Sequence, residues 1–359
     1  MNNLKRILAL VLILIMLFSF SACHKKNEIA VTVGDVKFTS AYYSCTLVMC
    51  DSQAKSKVNE NLTDVEKNSN AEIDYYKKEI DGKKFVDWVE DETLKHLTDI
   101  AAYKTLCKKN NIKLDNEKVK ETKEYAESMW NSGYQAYLEI NGISLKTFTD
   151  YQVDLLYADT YFESIYGKGG TKEITADKVK AELYDKFVIA NMLPVQFSQE
   201  TEAQKKEVKT KLDGFAEELR TGKKTFEQVY NEYNGITEEN HDGHDHEEAD
   251  KDAPVDKYAS IIGHKDTNYA NDRFDEIKAM ELNEVKIIAL DNSSGYILTV
   301  KKDISADPYY LENLDIPARH LLVKDEFEKE IDTFGKKLKI DINKYAVSQF
   351  KVKKINFPE

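Results

Sequence analysis

Four cysteines in 359 residues are too few to staple a scaffold with disulfides. They form no C-x-x-C and no pair with the spacing of a zinc site. Cys45 and Cys50 lie five residues apart, so on a helix they point in different directions and do not pair with each other. A bridge from Cys107 to either stays open, and a buried apolar role is the simpler reading of all three. Positive charge is also scarce: 51 Lys and Arg face 64 Asp and Glu, a net charge of −13. A nucleic-acid partner needs a basic footprint and is excluded on that ground. The bulk of so acidic a chain does not adhere to an anionic bilayer either. No G-x-S-x-G, no H-E-x-x-H, no catalytic Cys/His pair and no phosphate-binding glycine loop occurs, which leaves hydrolase chemistry without support. Long apolar runs are missing except one, Ile7 to Phe18, and that one is too short for a comfortable membrane span.

That run follows Lys5 and Arg6 and leads into Phe20-Ser21-Ala22-Cys23, the layout of a signal peptide covering residues 1–22. The last four residues resemble a bacterial lipobox. The resemblance implies that the Cys23 thiol is diacylated and that Cys23 becomes the new N-terminus. An uncleaved anchor helix is the competing reading, disfavoured by the length of the run. Acyl chains supply about 0.8 kcal/mol per buried CH₂, so the lipid would provide the membrane affinity that the acidic chain lacks. The expected location is the outer face of the cell membrane, in a single-membrane bacterium.

Residues 23–188 read as a helical domain. Residues 28–38 alternate around Gly34-Asp35 as a short hairpin, and Thr39 or Ser40 can cap the helix that follows. Residues 51–72 show no apolar period and read as a mobile connection or a weak helix. Val86, Val89, Thr93, Leu97 and Ile100 follow helical spacing. Asp115 and Ser144 open two further helices, and a glycine stop at 167–170 ends the second. Residues 189–303 change texture: a strand containing Pro194, whose missing N–H argues for an edge or a break; capping boxes at Thr201…Gln204 and Thr225…Gln228; an acidic, histidine-rich loop at 237–257; a strand near 258–263; a helical turn with Phe274, Ile277 and Met280; and a hairpin from Val285 to Val300. The order strand, helix, helix, strand, short helix, hairpin describes an α+β unit. In residues 304–359, Asp325 is placed to cap a helix with Phe327 and Ile331, and Val347–Ile355 alternates weakly as a strand. A lone terminal helix cannot bury its apolar face, so it is expected to return to the first domain.

The residues Ile29-Ala30-Val31-Thr32-Val33-Gly34, Tyr137-Leu138-Glu139-Ile140-Asn141-Gly142-Ile143-Ser144, Leu219…Gly222-Lys223…Thr225-Phe226 and Leu282-Asn283-Glu284-Val285…Ser294-Gly295-Tyr296-Ile297-Leu298 together resemble the SurA/PrsA-type extracytoplasmic foldases. The resemblance implies an α+β fold: a mainly helical chaperone domain, an inserted parvulin-type prolyl-isomerase unit, and a C-terminal helix returning to the first domain. It implies unfolded, newly exported polypeptides as partners. Active isomerases of this type carry a His on the first strand of the unit and a second after Gly-Tyr on the last. Here the first region reads Met192-Leu193-Pro194-Val195, and Ile297 follows Gly295-Tyr296. Phe274, Met280 and Ile297 mark a degenerate isomerase pocket, for which ordinary core is the competing reading of Phe274 and Met280. Rotation about a prolyl bond faces a resonance barrier of about 18–20 kcal/mol, and the missing histidines remove much of the hydrogen-bond network that would lower it. The expectation is a chaperone or foldase with weak or no isomerase activity and no catalytic residues; an active prolyl cis-trans isomerase of the same fold is the alternative.

Two further sets of residues carry candidate functions. Tyr134, Tyr137, Tyr151, Tyr157 and Phe162 offer apolar faces, the tyrosines with polar tips, suited to holding unfolded segments; core is the competing reading for each. His241, His244 and His246, set among Asp and Glu, fit a weak, flexible Zn²⁺ site and give a third reading, a metal-binding surface lipoprotein. A solvated acidic loop is the favoured reading of that stretch, and no cofactor is otherwise expected.

Overall fold

The computed structural model describes residues 27–63, 73–198, 200–236, 256–267, 273–290 and 294–356. Cys23 with its signal segment, and His241, His244 and His246, lie outside the described residues. Among the described residues no helix is long and apolar enough to cross a membrane.

The chain begins as an antiparallel hairpin, β1 (Ile29–Val33) and β2 (Val36–Thr39), whose turn needs the left-handed backbone of Gly34 (φ 57°). Thr39 Oγ1 accepts the Tyr42 N–H at 3.2 Å and starts helix α1 (Ser40–Glu60). Nearly every residue of its first three turns is buried. A helix enclosed on all sides need not show an amphipathic stripe. Of the two readings of this stretch, mobile connection or weak helix, residues 51–60 follow the helical one and continue α1 regularly, with Asp51, Ala54 and Val58 buried. The described stretch resumes with a minimal hairpin, β3 (Glu79–Ile80) and β4 (Lys83–Lys84).

Helix α2 (Phe85–Lys109) buries Trp88, Val89, Leu97 and Ile100 as its periodicity indicates. Asp115 accepts N–H groups of Glu117 and Lys118 and opens α3 (Asn116–Met129). A widened helical turn at Trp130–Tyr134, with Gly133 at φ 141°, passes the chain into α4 (Gln135–Ile140). Ser144 Oγ then accepts the Thr147 N–H at 3.2 Å at the start of α5 (Leu145–Tyr166).

Helix α6 (Ala176–Lys186) leads into the long strand β5 (Phe187–Gln196). Both sequence-read capping boxes form, opening α7 (Glu202–Arg220) and α8 (Phe226–Asn234). Strand β6 (Ala259–Gly263), helix α9 (Phe274–Lys278) and the strands β7 (Val285–Ala289) and β8 (Gly295–Lys302) complete an antiparallel sheet in the order β6-β5-β8-β7. Pro194 therefore sits in an interior strand, yet without cost. Strand β6 pairs only with Phe187–Asn191, and Phe197 N–H donates to Ser294 O across the β8 side. Alternation of the ladder turns the nitrogen of residue 194 away from β8, to the side that β6 has already left. Gly295 is equally constrained: at φ 154°, a Cβ there would lie 2.0 Å from the Val195 carbonyl oxygen.

Two small cores sandwich this sheet. Leu193, Val195, Leu298 and Val300 meet Leu212, Phe215, Phe226 and Val229 from α7 and α8 on one face. Val188, Ala190, Ile262 and Ile288 meet Phe274, Ile277 and Met280 on the other. Helix α10 (Pro308–Asn313) follows, and α11 runs from Asp315 to Gly335, so Asp325 is an interior helical residue and not a cap. Arg319 of α11 is 4 % exposed and makes four hydrogen bonds. It holds Asp315 with Nε and Nη2 (2.6 and 3.1 Å), and its Nη1 donates to the carbonyls of Tyr166 and Ile174 (2.9 and 2.8 Å).

The end of the chain returns to its beginning. Strand β9 (Ile340–Ile342) pairs with the free side of β1, giving the sheet order β2-β1-β9. Asn343 caps α12 (Lys344–Ser348), and Val352–Lys354 forms a single tight turn. Residues 347–355 are therefore helical turn and coil, not a strand: Val352 and Ile355 are buried in the core, with Val347 and Phe350 packed against it. The chain separates into two units, one of Met1–Ile165, Gly169–Thr171 and Asp325–Glu359, the other of Tyr166–Lys168 and Lys172–Lys324. They are called the helical unit and the sheet unit below.

Candidate functional site

In the sheet unit, the isomerase-type positions fall on the sheet face that α9 covers. Phe274, Met280 and Ile297 do come together there, in one cluster with Val188, Ala190, Ile277 and Met192. Phe274 and Met280 are each 4 % exposed. They pack within this small core, as the core reading of Phe274 and Met280 has it. Met192 and Ile297 are half-buried on the same face, Met192 paired with Thr299 and Ile297 with Pro194. The Thr299 hydroxyl is buried and meets no hydrogen-bond partner among the described residues. Neither strand position that the resemblance assigns to histidine carries an ionisable group.

One histidine that no motif marks does border this cluster. His264 follows β6 directly, anchored by its N–H donating to the Lys186 carbonyl at 2.7 Å. Its ring meets Phe274 edge-on at 5.4 Å. Its Nδ1 lies 3.1 Å from Asp266 Oδ2, near enough for an ion pair when protonated but off the line a hydrogen bond requires. The signal available was His264-Lys265-Asp266 immediately after Gly263 at the strand end.

In the helical unit, the five aromatic positions have different fates. Tyr151 is 5 % and Phe162 0 % exposed. Both belong to the interior, which removes them as contacts for a bound chain. Tyr151 faces His96, hydroxyl to Nε2, at 3.1 Å. Burial holds the His96 imidazole below its ordinary range. Phe162 packs edge-on against Phe327 at 5.1 Å, beside Tyr103 and Tyr161, in an aromatic cluster that docks the returning α11. Tyr137 and Tyr157 are half-buried, Tyr157 under the Lys104 ammonium. Tyr134 is the exposed member, 42 %, stacked on Phe148 at 6.3 Å.

Beneath these residues runs a polar network. The Tyr42 hydroxyl donates to Asp154 Oδ2 at 3.0 Å, and Lys104 Nζ donates to Oδ1 at 2.6 Å. Burial first, and then the Asp154 charge, push the Tyr42 hydroxyl far above its ordinary range. Cys45, Cys50 and Cys107 are free and buried. Burial pushes the Cys50 thiol up to about 12 and the Cys107 thiol up to about 11. Among the described residues no group of three or more His, Cys, Asp or Glu is arranged to hold a metal ion.

Neither a family model nor a curated protein matches the chain in sequence. Solved structures similar to it include the foldase protein PrsA of Streptococcus pneumoniae, at 16 % identity over 73 % of this chain and 90 % of that one, with a TM-score of 0.37. The foldase protein PrsA of Lactococcus lactis is similar at 10 % identity over 90 % of this chain and 99 % of that one, TM-score 0.38. A structure described with the SurA-like chaperones PEB4 and Cj1289 of Campylobacter jejuni is similar at 12 % identity, over 88 % of this chain and 99 % of that one, TM-score 0.26.

Proposed function

We propose that the chain is a lipid-anchored extracytoplasmic chaperone of the foldase class, which binds unfolded exported polypeptides and has lost most or all prolyl-isomerase activity. The observation that carries this reading is the face of the sheet unit. Its strands and helices follow the order expected of a parvulin-type unit, while the first strand offers only Met192-Leu193-Pro194-Val195 and the last Ile297 where the resemblance expects histidines, and Phe274 and Met280 pack beside Met192 and Ile297. Covered by α9, this face offers no proton donor from either strand position, so the unit would act as a binding or spacing module and not as a catalyst. Lipidation at Cys23 would keep such an activity beside the membrane.

Aggregation of a chemically unfolded model protein, followed by light scattering, tests the reading. A substoichiometric to equimolar amount of this chain is expected to suppress scattering. No suppression at any ratio overturns it.

His264 supports a second reading. A histidine held edge-on to Phe274 with Asp266 beside it would stand in for the missing strand histidines. An active isomerase on that basis would lose its rate in His264→Ala and keep its binding.

A further inference from the structure

Near its C-terminal end the helical unit binds a piece of itself much as it would bind a ligand. Ile355 is extended (φ −67°, ψ 120°) and its side chain is buried in the core. The next residue, Asn356, is held from both directions by one side-chain amide. Asn141 Nδ2 donates to the Asn356 carbonyl at 2.9 Å, and the Asn356 N–H donates to Asn141 Oδ1 at 2.9 Å. The Asn141 side chain thus plays the part of a neighbouring strand's backbone. It is itself fixed: Nδ2 also donates to the Tyr137 carbonyl at 2.8 Å, and the Asn141 carbonyl accepts Ser44 Oγ at 3.0 Å.

Beside this clamp lies an open cavity of about 340 Å³, which falls in the lower part of the range of ligand pockets, about 300–1,000 Å³. Its floor is apolar, with Leu47 and Ile355 buried. Its rim carries Ile140, a large apolar side chain left 50 % exposed. Two exposed lysines, Lys351 and Lys354, stand at the mouth. They belong to Lys351-Val352-Lys353-Lys354, a local reversal of sign in a chain of net charge −13.

We propose that this cavity is a client subsite for an extended polypeptide segment in which an apolar residue adjoins an acidic one. The inference rests on the chaperone reading and specifies where the helical unit meets its clients. The apolar floor takes the side chain, the lysines take the carboxylate, and the Ile355–Asn356 clamp is the intramolecular precedent for holding extended backbone at that wall. A bare anionic lipid headgroup would use the lysines and leave the apolar floor without a role.

The test is fluorescence anisotropy of a labelled, unfolded peptide built of Leu-Asp pairs, against the same peptide built of Leu-Lys pairs, with the full-length chain. The acidic peptide is expected to bind the more tightly. The surface variant Lys351→Glu/Lys354→Glu should weaken the acidic peptide by about tenfold or more and reverse the preference. Ile140→Ser should weaken both peptides, which a purely electrostatic patch would not produce. Circular dichroism verifies that the variants keep their helix content. Acidic-peptide affinity within about twofold of the parent in the charge-reversed variant overturns the proposal. So does a variant that loses only its binding to phosphatidylglycerol vesicles, which would assign the lysines to lipid. Aggregation suppression by the same variant separates the two levels: retained suppression with unchanged peptide binding sinks the subsite alone, and absent suppression in the parent sinks the chaperone reading itself.

Discussion

The helical unit is assembled from both ends of the chain, whereas the sheet unit is almost continuous from Lys172 to Lys324. In the first, β1 has β2 on one side and β9 on the other, so its sheet waits for residues 340–342. In the second, every strand of β6-β5-β8-β7 lies within one run of sequence. Closing a long loop costs chain entropy before the contacts it brings are made, so the two units differ in what each needs to become stable. The cores differ as well. The helical unit contains buried tyrosines, a histidine and a Tyr42–Asp154–Lys104 network. The sheet unit rests on two small aliphatic and aromatic clusters with few buried polar groups.

The largest expected effect breaks this comparison directly. A chain ending after Lys339 loses β9 and the buried Ala346, Val352 and Ile355. At about 1.5–3 kcal/mol for each large apolar side chain, the helical unit should lose roughly 4 kcal/mol or more and its cooperative unfolding. The sheet unit should keep its protected amides in hydrogen exchange. Loss of protection in both units together would deny them separate stability.

Gly295→Ala attacks the other side. The added Cβ falls 2.0 Å from a backbone oxygen, so the β5–β8 pairing must shift. A loss of about 3 kcal/mol or more, confined to the sheet unit, is expected in urea unfolding. Arg319→Met follows at about 3 kcal/mol, since it leaves the Tyr166 and Ile174 carbonyls without their buried donor and Asp315 without its partner. An urea midpoint unchanged by either substitution would contradict the role given to that residue.

A smaller effect comes from pH. Burial lowers the folded-state value of His96, so the unfolded chain binds the extra proton first. Stability from this group is complete above the unfolded value of 6.5 and declines as pH falls below it toward the folded value. The helical unit should therefore show a lower urea midpoint at mildly acid pH, and His96→Phe should flatten that slope. Smallest of all is thiol chemistry. Cys45, Cys50 and Cys107 should react with a disulfide reagent far more slowly in the native chain than in denaturant, and fast labelling of any of them would expose an opening in the core.

Local chemistry was the most legible part of the sequence. The Thr39, Asp115, Thr201 and Thr225 caps, the β1–β2 hairpin and the periodic α2 all follow from short-range rules that the tertiary structure does not override. The failures share one cause, surroundings that the local pattern does not encode. Asp51 sits on a buried face of α1 and hides the continuation of that helix. Val352 and Ile355 are buried by a turn, although their spacing in sequence imitates a strand. Pro194 is tolerated inside a sheet because a neighbouring strand stops short of it. The site was less legible than the fold. Of the aromatic residues read as client contacts, Tyr151 and Phe162 are core. The stretch Tyr137–Ser144 supplies Ile140 and Asn141 to the proposed client subsite.

The central claim, client binding without isomerisation, is tested most directly by NMR exchange spectroscopy on an unfolded, proline-containing peptide mixed with the full-length chain. Broadened peptide lines with no cis/trans exchange peaks are the predicted result. Exchange peaks would make the chain an active isomerase and turn attention to His264, and spectra unchanged across several peptides would contradict the foldase account altogether.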